Sequence, residues 1–143
     1  MNVETILKVK GREVIVVRPG ESVASAAETL HRRRIGAALV LDEDGNVQGV
    51  ISERDIVRGL ATHGGVVLGM KVAELMTSEV LTCEPGDAVD HIMAVMTERR
   101  VRHLPVLRNG KLVGVISIGD VVKHRLAEIE GEAQSLREYI STG

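Results

Sequence analysis

Apolar residues recur along this chain in two alternating rhythms, and the order of those rhythms is itself repeated. Spacings of three and four at Val23, Ala26, Ala27 and Leu30, and again at Val89, Ile92, Met93 and Met96, predict two helices that each bury one face. Ser22 and Asp87 stand ahead of them as expected N-caps. Two short apolar runs follow each helix, Ala37 to Leu41 with Val47 to Ile51, and Leu104 to Leu107 with Leu112 to Ile116. Asp44-Gly45 and Asn109-Gly110 separate the runs and predict hairpins. A second helix is expected from Ser52 and from Ser117. Upstream, Val14 to Val17 and Val80 to Cys83 read as short β-rich segments, and Val3 to Leu7 and Val72 to Met76 as helical lead-ins. Each copy thus runs helix, strand, helix, strand, strand, helix.

The repetition extends to the letters. Pro19 to Arg58 realigns on Pro85 to Lys123 with one residue deleted in the turn, and both copies end in Gly-Val-Ile-Ser-x-x-Asp, at Gly49 to Asp55 and Gly114 to Asp120. A repeat of about sixty residues buries too little to stand alone, so a pseudo-twofold pair is expected, with any activity between the copies. The expected divisions are 1–62 for the first copy, 63–70 for a linker, 71–126 for the second copy and 127–143 for a C-terminal helical extension. Ala61 to Met70 holds three glycines and no helical spacing, and is long enough to lie over the cleft between copies. In the last helix Val122, Leu126, Ile129, Ala133, Leu136 and Ile140 are spaced 4, 3, 4, 3 and 4 apart, a heptad-like seam interrupted by Gly131. That seam packs either on another subunit or back on its own chain.

Composition narrows the function. At 143 residues the chain is one domain's worth of polypeptide. It has no Phe or Trp and only Tyr139, so the core must be aliphatic and the stacking platforms common in single-stranded nucleic-acid binders are missing. With a net charge of -2, a nucleic-acid partner resting on Arg32, Arg33 and Arg34 is disfavoured. Cys83 is single and reads as a small buried thiol. Charges at Glu4, Lys8, Lys10, Arg12 and Glu13 break any signal-peptide core, and no run approaches the roughly 18 apolar residues of a membrane span. A soluble cytoplasmic protein is expected. His31, His63, His91, His103 and His124 lack paired metal-ligand spacing, and His63-Gly64-Gly65 lacks the Lys-Ser/Thr of a phosphate loop. Neither a metal centre nor an enzyme is expected.

Given this order of elements, the doubled string and the strand His103 to Val106, the chain resembles a tandem pair of cystathionine β-synthase (CBS) domains, also called a Bateman module. The resemblance covers Val3 to about Leu126. Its specific stretches are RVRHLPVLRNGKLVGVISIGD and GNVQGVISERD, and Leu39 stands where the family often has Pro. It implies an α/β (α+β) fold in which two β-α-β-β-α units surround a pseudo-dyad, with two clefts for adenosine-containing ligands. It also implies a homodimer, often disc-like, acting as a sensor and not as a catalyst.

Ser-x-x-Asp at a strand-to-helix junction is close to a capping box, and one such motif needs no further role. The same geometry serves a nucleotide: a carboxylate inside the first turn can accept both hydrogen bonds of a ribose diol, and the Ser hydroxyl and free amides can take phosphate oxygens. Asp55 and Asp120, with Ser52 and Ser117, are the candidates, and in the second copy the intervening Ile118 and Gly119 add no charge. Without aromatics the adenine slot must be aliphatic: Ile35, Gly36, Ala37 and Ala38 in one copy, Val101, Arg102 and Leu104 in the other, with Gly36 allowing close approach to the main chain. The resemblance adds walls near Val16 and Thr82 and a phosphate role for Arg102 and His103. Arg54 is a candidate phosphate or partner contact, while Arg32 and Arg33, which correspond to Arg99 and Arg100, read mainly as a solvated helix end. The expected ligand is AMP, ADP, ATP or NAD, signalled by shape to an effector protein. The alternative is a scaffold that kept the fold and lost the ligand.

Overall fold

The structure is a computed structural model that describes residues 1–10 and 14–142. Its elements run α1 (Val3–Lys10), β1 (Val16–Val17), α2 (Val23–Arg33), β2 (Ala37–Leu41), β3 (Val47–Ser52), α3 (Glu53–His63), α4 (Val72–Leu75), α5 (Val89–Arg99), β4 (His103–Arg108), β5 (Lys111–Ser117) and α6 (Ile118–Thr142). It is a mixed α/β fold with two small sheets. In the first, β1 lies parallel to β2 and β2 antiparallel to β3, and in the second β4 and β5 form a hairpin.

The two hairpins account for the deleted residue. Asn109 and Gly110 both take positive φ (53° and 81°), the two-residue turn that suits strand twist. In the first copy the Asp42 amide donates to the Asn46 carbonyl at 3.0 Å across a three-residue loop, with Gly45 at φ 83°. Both hairpins shift register at the same place, Val40/Leu41 and Val106/Leu107. The shift falls beside Gly49 and Gly114, the first letters of the doubled string.

Those glycines make room for a crossing of the two copies. The lead-in helix of each copy packs on the core of the other: Val3, Ile6 and Leu7 join Val89, Ile92, Leu104, Val106 and Ile116, while Val72 joins Val17, Val23, Val40 and Ile51. Antiparallel bridges fix both crossings, Asn2 to Ala88 and Lys71 to Ser22. A Cβ on Gly49 would stand 2.6 Å from the Thr77 carbonyl oxygen, and one on Gly114 would stand 2.8 Å from Leu7 Cδ2. Nothing larger than glycine fits under either lead-in without movement.

Local details depart from the sequence expectations in four places. Ser22 caps α2 by accepting from the Ser25 amide at 3.1 Å, but α5 is preceded by Ala88, and the Asp87 carboxylate accepts from Glu84 N instead. The β-rich segment Val80 to Cys83 contributes only a bridge from Cys83 to Val106, because its neighbouring residues turn outward. Ala61 to Met70 is not an irregular strap over the cleft: α3 runs to His63 and a 3₁₀ helix, Gly64–Gly69, seats Val67 in the first copy's core. Finally, α6 does not fold back, and residues 129–141 are all exposed.

Candidate functional site

In both copies a strand ends and a helix begins at the Ser of Ser-x-x-Asp. Ser52 caps α3: its hydroxyl accepts from the Asp55 amide at 3.2 Å, and its own amide and hydroxyl donate to Asp55 Oδ2 at 2.9 Å each. Asp55 is only 7% exposed, and its other oxygen accepts from the Thr77 hydroxyl at 3.3 Å, with the Arg58 guanidinium 3.9 Å away. A carboxylate offers about four acceptor directions, and three are used here. Thr77 was not legible as a site residue, since it lies past α4 in the second copy and reaches Asp55 only through the crossing.

The second copy repeats the cap with a more open carboxylate. The Ser117 amide donates to Asp120 Oδ2 at 2.9 Å, and the Asp120 amide donates to the Ser117 hydroxyl at 3.1 Å. Asp120 is half-buried where Asp55 is buried. The Glu53 amide donates to the Gly36 carbonyl at 2.9 Å and the Ile118 amide to the Arg102 carbonyl at 2.8 Å, so Gly36 and Arg102 occupy equivalent positions. Ala37 faces Ser52 across the ladder as His103 faces Ser117. In each first turn this capping scheme leaves one amide, Arg54 or Gly119, for an anion.

The expected contacts gather at matching ends of the two sheets. Val16 pairs with Leu39, two residues along β2 from Ala37, and Thr82 precedes the bridge of Cys83 to Val106, so Val16 and Thr82 stand at equivalent positions of the two copies. Ile35 and Val101 are half-buried beside their cores. A Cβ on Gly36 would meet nothing within 4 Å, so open space, not packing, adjoins this glycine. Leu104 is a correction: it is 1% exposed, and with Ala38 its side chain fills the core and is closed to a ligand.

The basic residues divide. Arg54, Arg102 and His103 are exposed at this end, whereas Arg32 pairs with Glu28 at 3.6 Å on the open side of α2. Arg34 and Arg100 end their helices in the left-handed conformation, both at φ 55°. Ile118 and Gly119 line a shallow groove with Val122, Lys123 and Leu126 along α6, so they face outward along that helix as well as toward the motif. Burial pushes the Cys83 thiol up to about 12, with Asp87 adding to the effect, so the thiol stays protonated and packs as an apolar group.

Comparison with known proteins follows the same division of the chain. A model of the CBS domain matches residues 7–62 and again 72–127. The chain belongs to the CBS domain family. Its two copies form a tandem CBS pair, and solved CBS structures share the fold. A CBS-domain protein from Agrobacterium tumefaciens is 46% identical, with a TM-score of 0.81 over 87% of this chain and 92% of that one. The CBS domain pair of protein MJ0100, in complex with 5′-methylthioadenosine and S-adenosyl-L-methionine, is 25% identical, with a TM-score of 0.76 over 90% and 98%. A CBS domain protein from Pyrobaculum aerophilum, complexed with AMP, is 28% identical, with a TM-score of 0.73 over 84% and 89%. The chain spans 72%, 31% and 66% of the lengths of three curated relatives it matches. Among the described residues no helix is long and apolar enough to cross a membrane.

Proposed function

We propose that this CBS pair is a non-catalytic sensor that binds adenosine-containing ligands, AMP, ADP, ATP or NAD, at its two Ser-x-x-Asp ends. The observation that carries the reading is the matched placement of Asp55 and Asp120 inside the first turns of α3 and α6, beside the open strand ends at Gly36 and Arg102. The complexes of relatives with AMP and with S-adenosyl-L-methionine and 5′-methylthioadenosine support the ligand class. Asp120, less buried and flanked by Arg102 and His103, suits the charged ligand better, with the Gly119 amide and Arg102 taking phosphate oxygens.

The same geometry suggests how occupancy becomes a signal. In the first copy a ribose diol must compete with the Thr77 hydroxyl for Asp55 Oδ1. Thr77 is tied to Val50 by two backbone bonds of 2.9 Å and follows α4, so displacing it loosens the seam between copies. A ligand shifts that equilibrium only by its differential affinity for the tight and loose arrangements.

Titration calorimetry of nucleotide-stripped protein with AMP, ATP and NAD tests the reading. At least one should bind below millimolar concentration. If none does, the pair is a ligand-free interaction scaffold, the function left once the two carboxylates serve only as caps.

A further inference from the structure

We infer that the end of α6 pairs with the same helix of a second copy as a parallel, in-register coiled coil. This does not rest on the nucleotide reading. The family match ends at residue 127, while α6 continues to Thr142. Beyond Glu128 the helix leaves the body of the protein, and Val122, Leu126, Ile129, Leu136 and Ile140 are between 45% and 68% exposed along one stripe. A projecting helix of this length, with Gly131 inside it, is marginal in water without a partner. The 4-3-4-3-4 spacing is the pattern that two helices bury against each other.

Charge selects the partner and its direction. With Leu126, Ala133 and Ile140 at a positions and Ile129 and Leu136 at d, the flanking g residues are Arg125 and Glu132, and the e residues are Lys123, Glu130 and Arg137. In a parallel pair each g residue meets the partner's e residue five positions on. Arg125 then meets Glu130, and Glu132 meets Arg137, so both pairs on both sides are attractive. An antiparallel pair that stacks Leu126 on Leu136 instead sets Glu130 against Glu130 and Lys123 against Arg137. With the whole stripe from Leu126 to Ile140 overlapped, the chain is therefore complementary to itself in the parallel direction and repels itself in the antiparallel one. Arg125 now bonds Glu128 of its own helix at 2.8 Å, an exposed pair that is readily exchanged.

Cross-linking of the full chain tests this. Leu136→Cys, mildly oxidised, should form a disulfide between identical residues of two copies, which an antiparallel pair cannot do. Buried Cys83 does not compete, and Ser141→Cys, off the stripe, should not link. Adding Glu130→Arg to Leu136→Cys should slow linking at least tenfold, and further adding Arg125→Glu should restore it. Absence of the Leu136→Cys link, or a link indifferent to both charge changes, overturns the proposal. A dimer by light scattering that does not cross-link overturns it equally, since the copies then meet through another face.

Discussion

The Thr77 hydroxyl donates to Asp55 Oδ1 at 3.3 Å, joining a residue that follows the second copy's lead-in helix to the buried acid of the first copy's motif. One carboxylate thereby caps a helix, ties the copies together and is the proposed ribose acceptor. Those duties conflict, and the conflict can be measured.

Thr77→Val removes the competing donor without changing shape much. Stability should fall by about 1 kcal/mol, the net worth of one such bond. The first site's affinity for its nucleotide should rise about two- to five-fold by calorimetry. Weaker binding would mean that Thr77 helps hold the ligand.

Asp55→Ala strips three polar groups of a partner inside a 7% exposed setting, and should cost about 2–4 kcal/mol in urea unfolding. Asp120→Ala, half-buried, should cost only about 1 kcal/mol, as an ordinary cap does. Equal losses would contradict the asymmetry between the copies.

Gly49→Ala and Gly36→Leu separate packing from binding. The first forces a Cβ to 2.6 Å from a backbone oxygen and should destabilise by about 1–3 kcal/mol. The second enters space with no protein atom near its Cβ, and should leave the melting midpoint almost unmoved while weakening nucleotide binding. A Gly36→Leu chain that binds as tightly as the parent would remove Gly36 from the site.

Cys83 supplies a test at high pH. Its folded value, about 12, lies above the ordinary 9, so the folded state holds the proton more tightly than the unfolded one. The thiol's contribution is complete below pH 9 and is lost as pH rises toward 12. Wild type should therefore lose stability faster than Cys83→Ala over that window, and unfolding should be needed for rapid alkylation at pH 8.

Much of this was legible in the letters because local spacing and turn chemistry agreed with the final packing. The helices at Val23 and Val89, both hairpins and the helix starts at Ser52 and Ser117 follow from periodicity and turn residues alone. The crossing of α1 and α4 was not legible, since lead-ins that resemble each other say nothing about which core each one covers. The glycines of the doubled string carried that information, as they mark where another backbone or side chain presses close. Leu104 was misread as a slot wall because alternation along β4 is interrupted: Leu104, Pro105 and Val106 are all buried. Gly-rich Ala61 to Met70 lacked helical spacing because a 3₁₀ turn needs only one apolar anchor, Val67.

The central claim is that the Ser-x-x-Asp carboxylates hold the ribose. Calorimetric titration of nucleotide-stripped wild type and Asp120→Asn with AMP tests it most directly. Asn keeps the size and one acceptor but loses the charge-assisted pair of ribose bonds, so affinity should fall about 10- to 100-fold, on the order of 1.4–3 kcal/mol. Unchanged affinity in Asp120→Asn and in the corresponding Asp55→Asn would contradict the account.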